Sequence, residues 1–150
     1  MNILPLDRGR LLRWIPALSW CAMIFWASGQ SDPGIVPPIP FADKVLHFGA
    51  YALLGLLFAF AQAASWPQIA TPWIAILLTA LYGVGDEFHQ AFVPGRDFDP
   101  FDMLADALGG SAGAWLSFRL GLPAQMEAGW RAIRHSVKGW LKRSPTNADL

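Results

Sequence analysis

Charge and cysteine are both scarce in this chain. Only 15% of its 150 residues are charged, against about 25% in an average soluble domain. The single cysteine excludes an intrachain disulfide. A net charge of zero gives no support for a polyanionic partner, so we expect no nucleic-acid ligand. The sequence also lacks CxxC, GxSxG, HExxH and a glycine-rich phosphate loop, so no common catalytic motif indicates a reaction.

Hydrophobic residues are abundant instead. They make up 54% of the chain, the mean hydropathy is +0.35, and the eight tryptophans suit membrane–water interfaces. Four segments approach the roughly 20 apolar residues that a helix needs to cross a bilayer. They are residues 14–28, 43–64, 72–92 and 102–120. We therefore predict an all-α fold, in which a four-transmembrane-helix domain (14–120) lies between an N-terminal tail (1–13) and a C-terminal tail (121–150).

The distribution of positive charge predicts the orientation of these helices. Arg8, Arg10 and Arg13 precede the first helix and the C-terminal tail is basic, whereas the opposite side keeps only Lys44 and Arg96. The positive-inside rule then makes both tails cytoplasmic. The alternative is that the first segment is a cleaved signal peptide, which its bulky aromatic residues disfavour.

The C-terminal tail is a separate amphipathic element. On a helix its apolar residues share one face and its cations another. The apolar residues are Met126, Trp130, Ile133, Val137, Trp140 and Leu141, and the cations are Arg134, Lys138 and Lys142. We expect this basic helix to lie on the anionic lipids of the inner leaflet. A helix that binds a soluble partner and a frayed tail are the alternatives.

Polar residues gather at one end of the second, third and fourth predicted helices. Asp43, His47 and Tyr51 are spaced i, i+4 and i+8, which puts them on one helix face. The third and fourth helices carry Tyr82, Asp86 and Gln90, with Glu87 and His89 beside them, and Asp102 with Asp106. Ionisable groups are expensive in lipid, so these stripes should face one another. Small residues at Ala105, Gly109 and Gly113, beside Gly110, predict close packing of the fourth helix against the second and third.

Two motifs in this region, "DKVLHFGAYALLG" and "DEFHQAFVPGRDFDPFDMLADALGGSAG", resemble the VanZ-like family of small bacterial membrane proteins. The resemblance covers roughly residues 14–118. Matching positions are Asp43, Lys44, His47, Tyr51, Asp86, Glu87, Gln90, Pro94, Gly95, Arg96 and Asp102. Asp106 stands where the family pattern has Asn. The resemblance implies an integral protein of the bacterial inner membrane, and the founding member is associated with reduced susceptibility to teicoplanin. It implies no particular reaction.

The function that we favour from the sequence is that of a cell-envelope accessory protein without catalytic activity or cofactor. Its extracytoplasmic pocket would bind a lipid headgroup, a cell-wall precursor or a (lipo)glycopeptide. The pocket residues would be Asp43, Lys44, His47, Tyr51, Tyr82, Asp86, Glu87, Gln90, Arg96, Asp102 and Asp106. Arg96 suits a phosphate or carboxylate. A local salt bridge with Asp97, Asp99 or Asp102 is the alternative for this side chain.

Two other functions stay open. In the first, a divalent metal serves a hydrolase or transferase that acts on an envelope lipid or a lipid-linked glycan. Candidate metal ligands are Asp43, His47, Glu87, His89 and Asp106, and the catalytic candidates are His47 and Glu87. In the second, the polar stripes only stabilise the bundle, and His47 hydrogen-bonds Asp43 or Glu87. An ion pathway is disfavoured because the acids lie on one side only.

Overall fold

The computed structural model describes residues 8–31, 39–67 and 69–143. This part of the chain is all-helical and contains no strand. The helices are α1 (Arg8–Leu12), α2 (Ile15–Ser28), α3 (Ala42–Ser65), α4 (Pro72–Gln90), α5 (Pro100–Arg119) and α6 (Leu122–Arg143). The predicted all-α class is therefore confirmed. The four predicted apolar segments correspond to α2, α3, α4 and α5, and their boundaries agree to within two residues.

Proline and short polar side chains explain where several helices begin. Pro72 and Pro100 occupy the first turn of α4 and α5, where a helix needs no backbone donor. The side chain of Thr71 accepts a hydrogen bond from the N–H of Ile74, which caps α4. Asp99 caps α5 in the same way. Because these signals are local, they could be read from the sequence.

Backbone contact between α5 and its neighbours positions the bundle. A Cβ atom added at Gly113 would overlap the carbonyl oxygen of Ala52 on α3. A Cβ atom at Gly109 would overlap the carbonyl oxygen of Phe48 on α3, and one at Gly110 would overlap the side chain of Thr79 on α4. Only glycine fits at such distances. The predicted close packing of the fourth helix against the second and third is confirmed.

The bundle buries polar side chains beside an apolar core around Tyr51, Leu54 and Phe58, and it exposes many large apolar side chains. Its described buried polar residues are Ser28, Gln62, Ser65, Thr79, Asp86, Glu87, Gln90, Asp102, Asp106 and Ser117. On α4, by contrast, large apolar side chains form an exposed stripe over the whole helix. These are Trp73, Leu77, Leu81, Val84 and Phe88, each 50–65% exposed. A soluble domain rarely exposes such a stripe of large apolar side chains while it buries carboxylates.

Among the described helices, one is long and apolar enough to cross a membrane by length and composition. This is α3, with 24 residues and a mean hydropathy of 1.7 in its most apolar stretch. α2 is apolar but has only 14 residues. The acidic residues of α4 and α5 reduce the hydropathy of those two helices.

The C-terminal tail forms α6, which packs against α3 and α5 at the end of the bundle where α5 finishes. Ile133, Val137 and Trp140 are exposed along it at i, i+4 and i+7. Several residues of the predicted tails lie outside what the structure describes. They are residues 1–7 and 144–150 entirely, and the side chains of Arg8, Arg10, Pro123, Met126, Glu127, Trp130, Arg134, Leu141, Lys142 and Arg143.

Candidate functional site: a polar cluster at one end of the bundle

The alternating direction of the helices brings the polar residues to one end of the bundle. α2 and α4 end there, and α3 and α5 begin there. Ser28 at the end of α2 hydrogen-bonds Asp86 near the end of α4. His47 near the start of α3 contacts Asp106 near the start of α5. The structure thus brings together the polar stripes of the three predicted helices and adds α2 to them.

An outer group of residues surrounds the ammonium of Lys44. Lys44 Nζ lies 2.8 Å from Asp43 Oδ2 and 2.8 Å from Asp102 Oδ1, and it also contacts Asp99 Oδ2. The other oxygen of Asp99 accepts the N–H of Phe101 at 2.8 Å and so caps α5. The hydrogen bond from Lys44 holds the pKa of Asp99 below its ordinary value of 3.8. Lys44 therefore ties the start of α3 to the start of α5.

A deeper group, which we call the inner triad, consists of His47, Glu87 and Asp106. Nδ1 of His47 lies 2.9 Å from Asp106 Oδ1. One nitrogen or oxygen atom from each of the three residues lies within 4.8 Å of the other two. Glu87 is 0% exposed and Asp106 1% exposed. Asp106 Oδ2 has no hydrogen-bond partner among the described residues.

The carboxylate of Glu87 is held in place from two directions. Its Oε2 accepts the backbone N–H of Asp99 at 3.0 Å, and its Oε1 accepts Nε2 of Gln90 at 3.2 Å. The first of these bonds connects α4 to the loop that leads into α5. Hydrogen bonds of this kind orient a carboxylate and reduce the cost of burying it.

Asp86 occupies a separate position between α2 and α3. Its Oδ2 accepts hydrogen bonds from Ser28 Oγ at 2.9 Å, Tyr51 Oη at 3.1 Å and Gln90 Nε2 at 3.3 Å. Its Oδ1 has no partner among the described residues. Asp86 therefore links three helices through one oxygen and leaves the other available.

A cleft of about 120 Å³ opens beside Asp86, between α2, α3 and α4. Its polar lining includes Ser28, Asp43, His47, Asp86, Gln90 and Arg96. Its apolar lining is Ile24, Ala27, Leu46 and Ala50. Polar groups on one side and aliphatic groups on the other suit a ligand that is itself amphiphilic.

Other candidate residues lie away from the inner triad. His89 stacks on Phe25, with ring centroids 4.1 Å apart, so it does not join the other metal-ligand candidates. Asp43 belongs to the outer group around Lys44. The hydroxyl of Tyr82 donates to the backbone carbonyl of Cys21 and not to an acid.

The contacts of Arg96 and His47 differ from the alternatives considered for them. Arg96 Nε donates to the backbone carbonyl of Gln30 at 3.1 Å. Within the described part of the chain it forms no salt bridge with Asp97, Asp99 or Asp102. His47 hydrogen-bonds Asp106, whereas the structural hypothesis named Asp43 or Glu87 as its partner.

The sequence did not predict a role for Ser28, and it suggested Asp99 only as a salt-bridge partner of Arg96. Ser28 ends an apolar helix, and no local pattern predicts that its hydroxyl reaches an acid 58 residues further along the chain. Asp99 precedes Pro100, and an aspartate followed by proline is a common start of a helix. That signal predicts the cap of α5, although it does not predict the contact with Lys44.

Taken together, fold and site define a class of protein. It is a small helical bundle whose apolar exterior encloses ionisable residues at one end, an arrangement typical of proteins embedded in membranes. The family model VanZ/LLP1 matches residues 8–121, and the chain belongs to this family. The match spans α1 to α5, and it includes the outer group around Lys44, the inner triad and the residues that line the cleft beside Asp86. The family predicted from the two motifs is confirmed.

One curated relative is an uncharacterized protein of Schizosaccharomyces pombe, C11E3.10. It is 39% identical over 72 residues, which are 48% of this chain and 44% of the relative. The chain thus matches less than half of that protein's length. No solved structure is significantly similar to the chain.

Proposed function

We propose that the chain is a multi-pass protein of the bacterial cell membrane in which α2 to α5 cross the bilayer. The exposed apolar stripe on α4 supports this, because the acids of the same helix point inward and away from the surface. Basic residues support an orientation with both tails in the cytoplasm. Arg13, Arg119, Arg131 and Lys138 belong to the end of the bundle opposite the polar cluster.

Cysteine labelling tests this topology. In a Cys21→Ser background, Asp97→Cys should react with a membrane-impermeant maleimide added to intact spheroplasts. Gln125→Cys should react only after the membrane is opened. Both positions are exposed, so accessibility to the reagent and not burial decides the result. Labelling of Gln125→Cys in intact spheroplasts would contradict the proposed orientation.

The polar end of this membrane protein, in our proposal, binds the headgroup of an envelope amphiphile and catalyses no reaction. The lining of the cleft carries this proposal, since Leu46 and Ala50 lie beside Asp86 and Arg96. Its volume of about 120 Å³ is well below the roughly 300–1,000 Å³ of pockets for drug-sized ligands. A lipid headgroup therefore fits better than a cell-wall precursor or a glycopeptide.

The charges around the cleft favour a zwitterionic headgroup. Arg96 offers a guanidinium to a phosphate, and Asp86, whose Oδ1 has no partner among the described residues, offers a carboxylate to an ammonium group. Because no ion pair to Asp86 is formed among the described residues, a purely anionic headgroup would leave this carboxylate without a counter-charge. Phosphatidylethanolamine combines both charges, whereas phosphatidylglycerol carries only the phosphate.

Native mass spectrometry of the detergent-purified protein tests headgroup binding. We expect phosphatidylethanolamine to bind in preference to phosphatidylglycerol. Loss of one charge-assisted hydrogen bond in Arg96→Ala should weaken that binding about 10- to 100-fold. Arg119→Ala removes the same charge at the other end of the bundle and should bind as the wild type does. Equal binding by all three proteins would refute the proposal.

The helix α6 is proposed to lie on the inner surface of the membrane. Its exposed residues Ile133, Val137 and Trp140 share one face, and the exposed cations Arg131 and Lys138 can reach anionic lipid headgroups. This placement agrees with cytoplasmic tails, because α6 packs at the end of the bundle where α5 finishes.

A further inference from the structure

The inner end of the polar cluster has an excess of buried negative charge. Asp86, Glu87 and Asp106 are each at most 4% exposed, and His47 is the basic side chain that pairs with them among the described residues. The ammonium of Lys44 is already shared by the three acids of the outer group. Buried carboxylates without a counter-charge are costly. A bound cation would offset this cost.

The geometry of the inner triad suits such a cation. The three side chains come from three different helices, and one donor atom of each lies within 4.8 Å of the other two. The 2.9 Å between His47 Nδ1 and Asp106 Oδ1 is close to the roughly 3.0 Å between neighbouring ligands of an octahedral ion at about 2.1 Å from each. The same distance is also that of a hydrogen bond, so by itself it does not distinguish an ion site from a hydrogen-bonded pair.

The second carboxylate oxygen of Asp106 favours an ion site. Asp106 is 1% exposed, and its Oδ2 has no hydrogen-bond partner within the described part of the chain. Oδ2 lies against Gly83 on α4, one helical turn before Glu87 and therefore on the same side of that helix. A buried carboxylate oxygen is normally satisfied, and an unsatisfied one often marks the place of a water molecule or an ion.

We propose that His47, Glu87 and Asp106 bind one divalent transition-metal ion. An imidazole nitrogen with two carboxylate oxygens favours an ion such as Zn²⁺ or Mn²⁺ over Ca²⁺ or Mg²⁺, which prefer oxygen ligands alone. The hydrogen bonds that Glu87 accepts from Asp99 and Gln90 would hold it in the orientation for binding. The site goes beyond headgroup binding and does not depend on it.

The outer group provides an internal comparison. Asp43, Asp99 and Asp102 also offer oxygens within 4.8 Å of one another. Their common cation is already present, because all three contact the ammonium of Lys44. We therefore assign the metal ion to the inner triad and the lysine to the outer group.

The first experiment measures the metal content of the full-length protein, purified in detergent without chelator or added lipid. Elemental mass spectrometry should find close to stoichiometric metal in the wild type and at least a tenfold lower content in His47→Gln and Glu87→Gln. Asp86→Asn removes an equally buried charge outside the triad and should keep the metal. A metal-free wild type, or equal loss in Asp86→Asn, would overturn the proposal.

A second measurement on the wild type avoids dependence on variants that fail to fold. The protein is stripped with a chelator and titrated with Co²⁺. Visible absorption typical of bound Co²⁺ and a higher melting temperature should appear together and saturate near stoichiometry. No absorption change in folded, stripped protein would overturn the proposal. Because no lipid is added, the outcome is independent of whether the cleft binds a headgroup.

Discussion

Replacing Gly113 by alanine tests the backbone contact that positions the site. α5 approaches α3 so closely here that a Cβ atom would overlap the carbonyl oxygen of Ala52. The opposing atom belongs to the backbone of a helix, so no side-chain rotation can relieve the overlap. The two helices must move apart. Since His47 and Asp106 lie on these same helices, the movement reaches the polar cluster.

The expected loss of stability follows from two opposing effects. Overpacking a well-packed interior costs about 1–3 kcal/mol. We expect a cost of about 3 kcal/mol here, because the overlapped atom belongs to a rigid helix backbone. Alanine gains about 1 kcal/mol over glycine through its higher helix propensity. The net loss is about 2 kcal/mol. At about 2–4 °C per kcal/mol for a chain of this size, the melting temperature should fall by about 4–8 °C.

Thermal unfolding in detergent, followed by tryptophan fluorescence, measures this change. Gly49→Ala is the matched control, because it makes the same substitution on α3 at a position with open space around it. It should melt at or slightly above the wild-type temperature. If Gly113→Ala melts as high as Gly49→Ala, the close contact between α3 and α5 is refuted.

Three further predictions concern the site and the tail. Tyr51→Phe removes one of three hydrogen bonds to a buried carboxylate and should lower stability by about 1 kcal/mol in denaturant unfolding; no change would mean that this bond is not formed. Lys44→Met should lower the melting temperature at neutral pH. The lowered pKa of Asp99 stabilises the wild type at pH values above the ordinary value of 3.8, and this contribution is lost as pH falls through the lowered pKa. The difference in melting temperature between Lys44→Met and the wild type should therefore shrink in acid. A constant difference would contradict the ion pair. A fluorophore on Val137→Cys should be quenched by brominated lipids and one on Lys138→Cys should not, and equal quenching would contradict the proposed face of α6.

Much of the fold was predictable from local signals. Four apolar segments predicted α2 to α5, and proline at the starts of α4 and α5 agrees with where these helices begin. The small residues at every fourth position of α5 predicted its close packing, because they remove the side chains that would keep two helices apart. The spacing of the acids predicted which side of each helix is polar.

The partners within the polar cluster were not predictable. A spacing of i and i+4 tells which face of a helix carries a residue, but not which residue of another helix lies opposite. His47 accordingly meets Asp106 and not Asp43, and Lys44 meets Asp99 as well as Asp102. His89 follows Glu87 by only two residues, which turns it to another side of α4, where it stacks on Phe25.

The sequence by itself thus determined the helices α2 to α6, the family and the end of the molecule where the polar residues gather, because each depends on residues close together in the chain. Tertiary structure alone decided the division into an outer group around Lys44 and an inner triad around His47, the recruitment of Ser28 from α2, and the cleft beside Asp86. These features depend on how far each helix is rotated and how deeply it sits against its neighbours. Helix rotation and depth are set by the contacts of the whole bundle, above all by the glycines of α5 against α3.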